Sequence, residues 1–147
     1  MTRAADMTPQ ALAEASAAAI WADDRAAQHL GMRLDRVAPG EAVMSMTVTE
    51  AMLNGLGNGH GGYIFTLADS AFAFACNSHN AVTVAQQASI NFTAPVRLGD
   101  RLTATAREQS RTGRSGVYDV DVTNQDGRII AHFRGLARTI AGSHVPE

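Results

Sequence analysis

The feature that most constrains this chain is an apolar run from Tyr63 to Cys76 whose only charged residue is Asp69. The run is too short to span a bilayer. It is also too apolar to lie on a wet surface, so it reads as a buried helix from about Gly61 to Ser78. Four strand candidates follow without another helix: Val82 to Phe92, with Val82, Val84, Ala88, Ile90 and Phe92 on one face, then Arg101 to Gln109, Val117 to Thr123 and Arg128 to Ile140. Turn signals separate them, at Leu98-Gly99-Asp100, Arg111-Thr112-Gly113-Arg114 and Asp126-Gly127. Consecutive hairpin-like connections argue for an antiparallel sheet, because parallel neighbours need crossovers. One apolar helix against one antiparallel sheet is an α+β arrangement.

Upstream of the helix, Met32 to Val37, Pro39-Gly40 and Glu41 to Thr49 read as a hairpin, with Met44, Met46 and Val48 alternating against Val43, Ser45 and Thr47. Thr8-Pro9 is a helix start, and Gln10 to about Leu30 reads as one peripheral helix with Leu12, Ala15, Ala19 and Ile20 on its apolar side. Met1 to Asp6 is expected to be disordered. No linker, repeat or low-complexity tract divides the 147 residues, which predicts one domain over 1–147 with 1–30 as a helical extension.

Composition excludes several classes. The formal net charge is -2, so no basic surplus points to nucleic acid. All basic residues are Arg, an Ala-rich chain's compositional bias, and without Lys no phosphate loop ending in Gly-Lys-Ser/Thr can exist. The single Cys76 permits no internal disulfide, and no leader is read at the N-terminus; both predict a reducing, cytoplasmic setting without membrane attachment. In its apolar run Cys76 reads as a buried structural thiol. The five histidines, at 29, 60, 79, 132 and 144, show no metal-ligand spacing with one another or with Cys76, so no metal is expected. There is no Gly-x-Ser-x-Gly elbow.

The chemistry concentrates between Asn54 and Asp69. Gly59-His60-Gly61-Gly62 leads straight into the helix, where backbone N–H groups are unpaired and can be approached closely. Such donors can stabilise charge developing on an oxygen. Asp69 lies two turns into an apolar helix, where an ionised carboxylate needs partners or a raised pKa. A carboxylate in an apolar wall suits a general base or nucleophile. Each feature also has an ordinary reading, a plain turn and a wet aspartate, and His60 alone is ordinarily structural.

The stretch resembles the hotdog thioesterases of the phenylacetate-degradation type. The resemblance spans about Asn54 to Ile140. It is carried by Asn54, His60-Gly61-Gly62, the run Phe65-Thr66-Leu67-Ala68-Asp69, its continuation to Ser78, and Gly116-Val117-Tyr118-Asp119-Val120. It implies a hotdog fold, a long helix wrapped by a curved antiparallel sheet. It also implies hydrolysis of acyl-CoA, here phenylacetyl-CoA or a ring-hydroxylated form, with coenzyme A as part of the substrate and no cofactor. The Gly61 N–H and the Asn54 side chain would polarise the thioester carbonyl, with His60 and Gly62 in the same turn. Asp69 would activate water or attack the carbonyl directly. Some relatives of this type use a Ser or Thr on the next strand to hold water; here Gln86, on the apolar face, would have to serve, or Gln87 or Ser89 where a bulge intervenes. The family's dimers, often doubled into tetramers, imply the same for this chain.

A geometric argument leads to the same dimer. Gly61 and Asp69 are eight residues apart, about 12 Å along one helix. One thioester carbon cannot lie within roughly 3 Å of both, the reach that catalysis needs. If both act on one substrate, they come from two chains. For the phosphates of coenzyme A, Arg111, Gly113, Arg114 and Ser115 surround a turn with guanidinium and backbone donors, though a solvated hairpin tip is an equal reading. Phe72 and Phe74 are candidates for an aromatic pocket wall, with core packing their more ordinary role. Two rival functions remain: an enoyl-thioester hydratase or dehydratase, for which His60 is the one candidate histidine, and a non-catalytic acyl-CoA-binding module.

Overall fold

The Thr8 hydroxyl accepts the Ala11 N–H at 3.1 Å and Pro9 takes the first helical position, so helix α1 (Pro9–Asp23) begins at the expected signal. The computed structural model describes residues 2–147. The expected single helix to Leu30 is broken at Asp24, whose backbone leaves helical geometry and whose carboxylate accepts the Ala27 N–H at 3.0 Å to cap a separate helix α2 (Arg25–His29). Aspartate competes with helix continuation by this local bond. The buried side of α1 is Ala13, Ser16 and Ala17, one position away from the expected stripe. In a segment so rich in alanine, apolar pattern defines the face poorly. Ala4–Asp6, expected without structure, forms a short 3-10 turn in which buried Ala4 donates its N–H to the Pro146 carbonyl at 2.8 Å. That contact joins the two chain ends and has no local sequence signal. Met1 lies outside the described residues.

Strands β1 (Arg33–Ala38) and β2 (Glu41–Thr47) form the expected hairpin, with Gly40 at positive φ in its turn and Met44 and Met46 buried. Helix α3 (Gly61–Cys76) follows, then β3 (Ala81–Phe92), β4 (Arg101–Thr112), β5 (Ser115–Thr123) and β6 (Ile129–Ser143). All pairings are antiparallel, in the order β1-β2-β4-β5-β6-β3. This is the α+β hotdog arrangement: α3 touches every strand and the sheet curves around it. Leu67, Ala68, Ala71, Phe72 and Ala75 of the helix meet Leu102, Ala104, Tyr118, Val120, Val122 and Phe133 of the sheet. At Gly135 a Cβ would lie 2.7 Å from the Phe72 ring, so glycine there admits the ring. Phe72 and Phe74 are each 1% exposed and are core residues.

Two expectations about β3 change. It pairs with β6, not with β4, and the segment Thr93–Asp100 carries the chain from the sheet edge to the far side of β5. A β-bulge between Ala85 and Gln87 also reverses the side-chain alternation. Val84 sits opposite Arg138, whereas Ile90 sits opposite buried Phe133, so they occupy opposite faces rather than one. Among the described residues no helix is long and apolar enough to cross a membrane.

Candidate active site

The glycine-rich turn is built around Asn54. Its side-chain oxygen accepts the N–H groups of Leu56 and Asn58 at 2.9 and 3.1 Å, and its own N–H donates to the Asn58 carbonyl at 2.7 Å. Only the carboxamide oxygen can accept two N–H groups, which leaves the Nδ2 group as the free donor. Gly57 closes the turn at φ +77°. The turn is then fastened to the β3–β4 connection. Gly59 donates its N–H to the Val96 carbonyl at 2.7 Å, and a Cβ at 59 would meet Val96 at 2.7 Å.

His60 is the cap of α3. Its Nδ1 accepts the Gly62 N–H at 2.9 Å, which places a ring proton on Nε2. The Tyr63 N–H goes to the His60 carbonyl at 3.0 Å. Among the described residues the Gly61 N–H has no partner. Of the first three N–H groups of the helix, one is left to point at a ligand, and it belongs to Gly61. Asn54 and Gly61 line one cleft of about 570 Å³ together with Asn58, Ile64, Phe92 and Pro95.

Asp69 is not in that cleft. It is half-buried on α3, and its carboxylate has no hydrogen bond or ion pair among the described residues. Burial pushes its pKa above the usual aspartate value. The nearby hydroxyls do not serve it: Thr66 donates to the Gly62 carbonyl and Ser70 to the Thr66 carbonyl. Gln86, Gln87 and Ser89 lie exposed on β3 and do not hydrogen-bond Asp69 within the chain; Ser89 stands opposite Arg134 and lines a groove on the sheet's outer face. One chain therefore holds a half with free donors and a half with a carboxylate, separated by about 12 Å of continuous helix.

Arg111, Gly113, Arg114 and Ser115 come together at the β4–β5 turn beside a small cavity of about 30 Å³, with Gly113 at φ +61°. Sequence reasoning missed a neighbour there. Glu108 accepts from the Tyr118 hydroxyl at 2.7 Å, contacts His79 Nε2 at 2.9 Å and pairs with Arg111 at 3.6 Å. Despite its burial, these partners hold the Glu108 carboxyl below its ordinary pKa. Arg114 makes no ion pair among the described residues, and its carbonyl accepts the Thr139 N–H. The separations of 29 and 10 residues around Glu108 have no sequence signature. Cys76 is buried, as expected, and burial pushes its thiol up to about 12.

Residues 56–131 match the thioesterase superfamily. The acyl-coenzyme A thioesterase PaaI of Escherichia coli is 43% identical over 132 residues, which is 90% of this chain and 94% of that protein. The solved structure of the E. coli PaaI protein from the phenylacetic acid degradation operon superposes with a TM-score of 0.91 at 41% identity, covering 92% of this chain and 99% of that one. A hypothetical thioesterase of Streptococcus pneumoniae, solved with coenzyme A, reaches a TM-score of 0.73 at 30% identity, over 76% of this chain and 88% of its own. The chain belongs to the thioesterase superfamily. It is a thioester hydrolase of the hotdog fold.

Proposed function

We propose that the chain hydrolyses acyl-CoA thioesters, with phenylacetyl-CoA or a ring-hydroxylated phenylacetyl-CoA preferred, to free CoA and the carboxylic acid. The observation that carries this reading is a pair of unfilled halves: free donors at Asn54 and at the Gly61 start of α3, and a partnerless carboxylate at Asp69 farther along that helix. In a homodimer with two α3 helices antiparallel, each donor pair meets the other chain's Asp69, giving two shared sites. The free edge of β3, a twelve-residue strand with exposed Val84, supports pairing of two chains there. Two such dimers then form a homotetramer.

In the shared site the thioester oxygen accepts from the Gly61 N–H and Asn54 Nδ2. Charge growing on that oxygen is stabilised where water is excluded. Asp69 takes a proton from the attacking water, whose oxygen bonds to the carbonyl carbon, or attacks that carbon itself and is released by water. Either way the C–S bond breaks, the thiolate of CoA leaves and is protonated, and no cofactor takes part because coenzyme A belongs to the substrate. Arg114 and the backbone donors at Gly113 and Ser115 are assigned to the CoA phosphates, with Arg111 shared with Glu108. The aryl preference draws on the operon from which the E. coli relative comes. A single buried cysteine and a formal net charge of -2 suit a cytoplasmic enzyme with no nucleic-acid or membrane partner.

The test is free-thiol release across aliphatic and aromatic acyl-CoAs, for the unsubstituted protein and Asp69→Asn. Release with a preference for arylacetyl groups, lost by about a hundredfold or more in Asp69→Asn, is the expected result. Near-normal turnover by Asp69→Asn would remove the carboxylate from the mechanism.

A further inference from the structure

Phe92 is the last residue of β3, and it remains 51% exposed although it carries a large apolar ring. Of the exposed large apolar residues, which also include Leu56, Val84, Leu98, Ile129 and Ile140, it alone lines the cleft that holds Asn54 and Gly61. Its ring stands over Gly61: a Cβ there would lie 2.9 Å from Phe92 Cζ and 3.2 Å from Cε1. The φ of Gly61 is not in the left-handed range, so what demands glycine at this position is the ring. The backbone under the ring is fixed, since Phe92 pairs with Ala131 and the next two N–H groups donate to the Ile130 carbonyl at 2.8 and 3.3 Å. Ile64, Ala94, Pro95 and Val96 continue the same wall, while Asn54 and Asn58 supply the polar side.

An acyl group whose carbonyl oxygen sits on the Gly61 N–H therefore has an aromatic ring beside it. A methyl group offers little surface to that ring. A phenyl group one carbon from the carbonyl can stack on it or meet it edge to face. Phe72 and Phe74 cannot do this, since both are sealed in the core.

We infer that Phe92 is a specificity-determining residue whose ring packs against the aryl group of the substrate. This rests on the proposed thioester hydrolysis and deepens it. The experiment measures kcat/KM for phenylacetyl-CoA and acetyl-CoA in Phe92→Leu, Phe92→Ala and Phe92→Tyr, with thermal melts to confirm folding. Every variant is expected to lose some activity; the decisive quantity is the phenylacetyl-to-acetyl ratio. That ratio falls about fivefold to tenfold in the Leu and Ala variants and is kept in Phe92→Tyr. If the Ala variant does not fold, the Leu and Tyr pair decides. A ratio unchanged in Phe92→Leu, with both substrates slowed alike, would overturn the role of Phe92 while leaving hydrolysis intact. Failure of the unsubstituted protein to release thiol from either substrate would overturn the hydrolysis itself, and this role with it.

Discussion

The Nδ1 atom of His60 accepts the N–H of Gly62 at 2.9 Å. Two residues of one tight turn are thereby satisfied by each other, and the neighbouring Gly61 N–H is left as the donor that faces the cleft. The role proposed for the histidine of the His-Gly-Gly turn is therefore to act through the helix start, as a positioning residue.

Replacing that cap should destabilise the protein and misplace the donor. His60→Ala is expected to cost about 1 kcal/mol and to lower kcat/KM for thioester hydrolysis. His60→Asn, whose side chain is a good cap, should restore most of the lost stability and part of the activity. Thermal melts and thiol release on the two variants check this. Equal losses in both would mean that the imidazole does something a capping oxygen cannot.

Asp69 makes a prediction of opposite sign for stability. Burial favours its protonated form, so its folded-state pKa lies above that of the unfolded chain. The ionised carboxylate then weighs against folding. That penalty is absent below the unfolded pKa and grows as pH rises through the folded one. Asp69→Asn should therefore melt at a higher temperature than the unsubstituted protein at pH 7, and the gap should close below about pH 4. Hydrolysis should fall as acid protonates the same group. A variant that melts lower at neutral pH would show that the carboxylate has stabilising partners.

How much of this was legible in the sequence depends on whether the cause was local. Thr8-Pro9, the hairpin at Gly40 and the apolar run of α3 act within a few residues, and the structure follows them. The turn at Gly59 to Gly62 and Asp69 stood out because glycine and a charge interrupt an apolar pattern. A bulge near Gln86 was one option the sequence left open, but its presence after Ala85 was not legible, since one extra residue changes no composition yet turns Val84 to the other face. The Glu108, Tyr118 and His79 cluster and the Phe92 ring over Gly61 join distant segments, and only the folded sheet brings them together. Asp24 carried a readable capping signal, which the surrounding alanines concealed.

Gly135 gives a test of the core that bypasses the site. A Cβ there would fall 2.7–2.8 Å from three atoms of the Phe72 ring, which Tyr118 and Phe133 flank with ring centroids at 5.6 and 5.7 Å. The ring has nowhere to move. Gly135→Ala should cost about 1–3 kcal/mol by overpacking, seen as a lower Tm. An unchanged Tm would mean that β6 and α3 are less tightly seated than these distances show.

The shared site is tested most directly by mixing two inactive chains. Asp69→Asn removes the carboxylate. Gly61→Pro removes the donor N–H; His60 already has the extended backbone that precedes proline, and the Phe92 ring that would be displaced is half-exposed. Each variant alone should release almost no thiol. Co-expressed and randomly paired, half of the dimers are mixed and one of their two sites is intact, so about a quarter of normal activity should return. A mixture as inactive as its parents would place both groups in one chain's site and contradict the account.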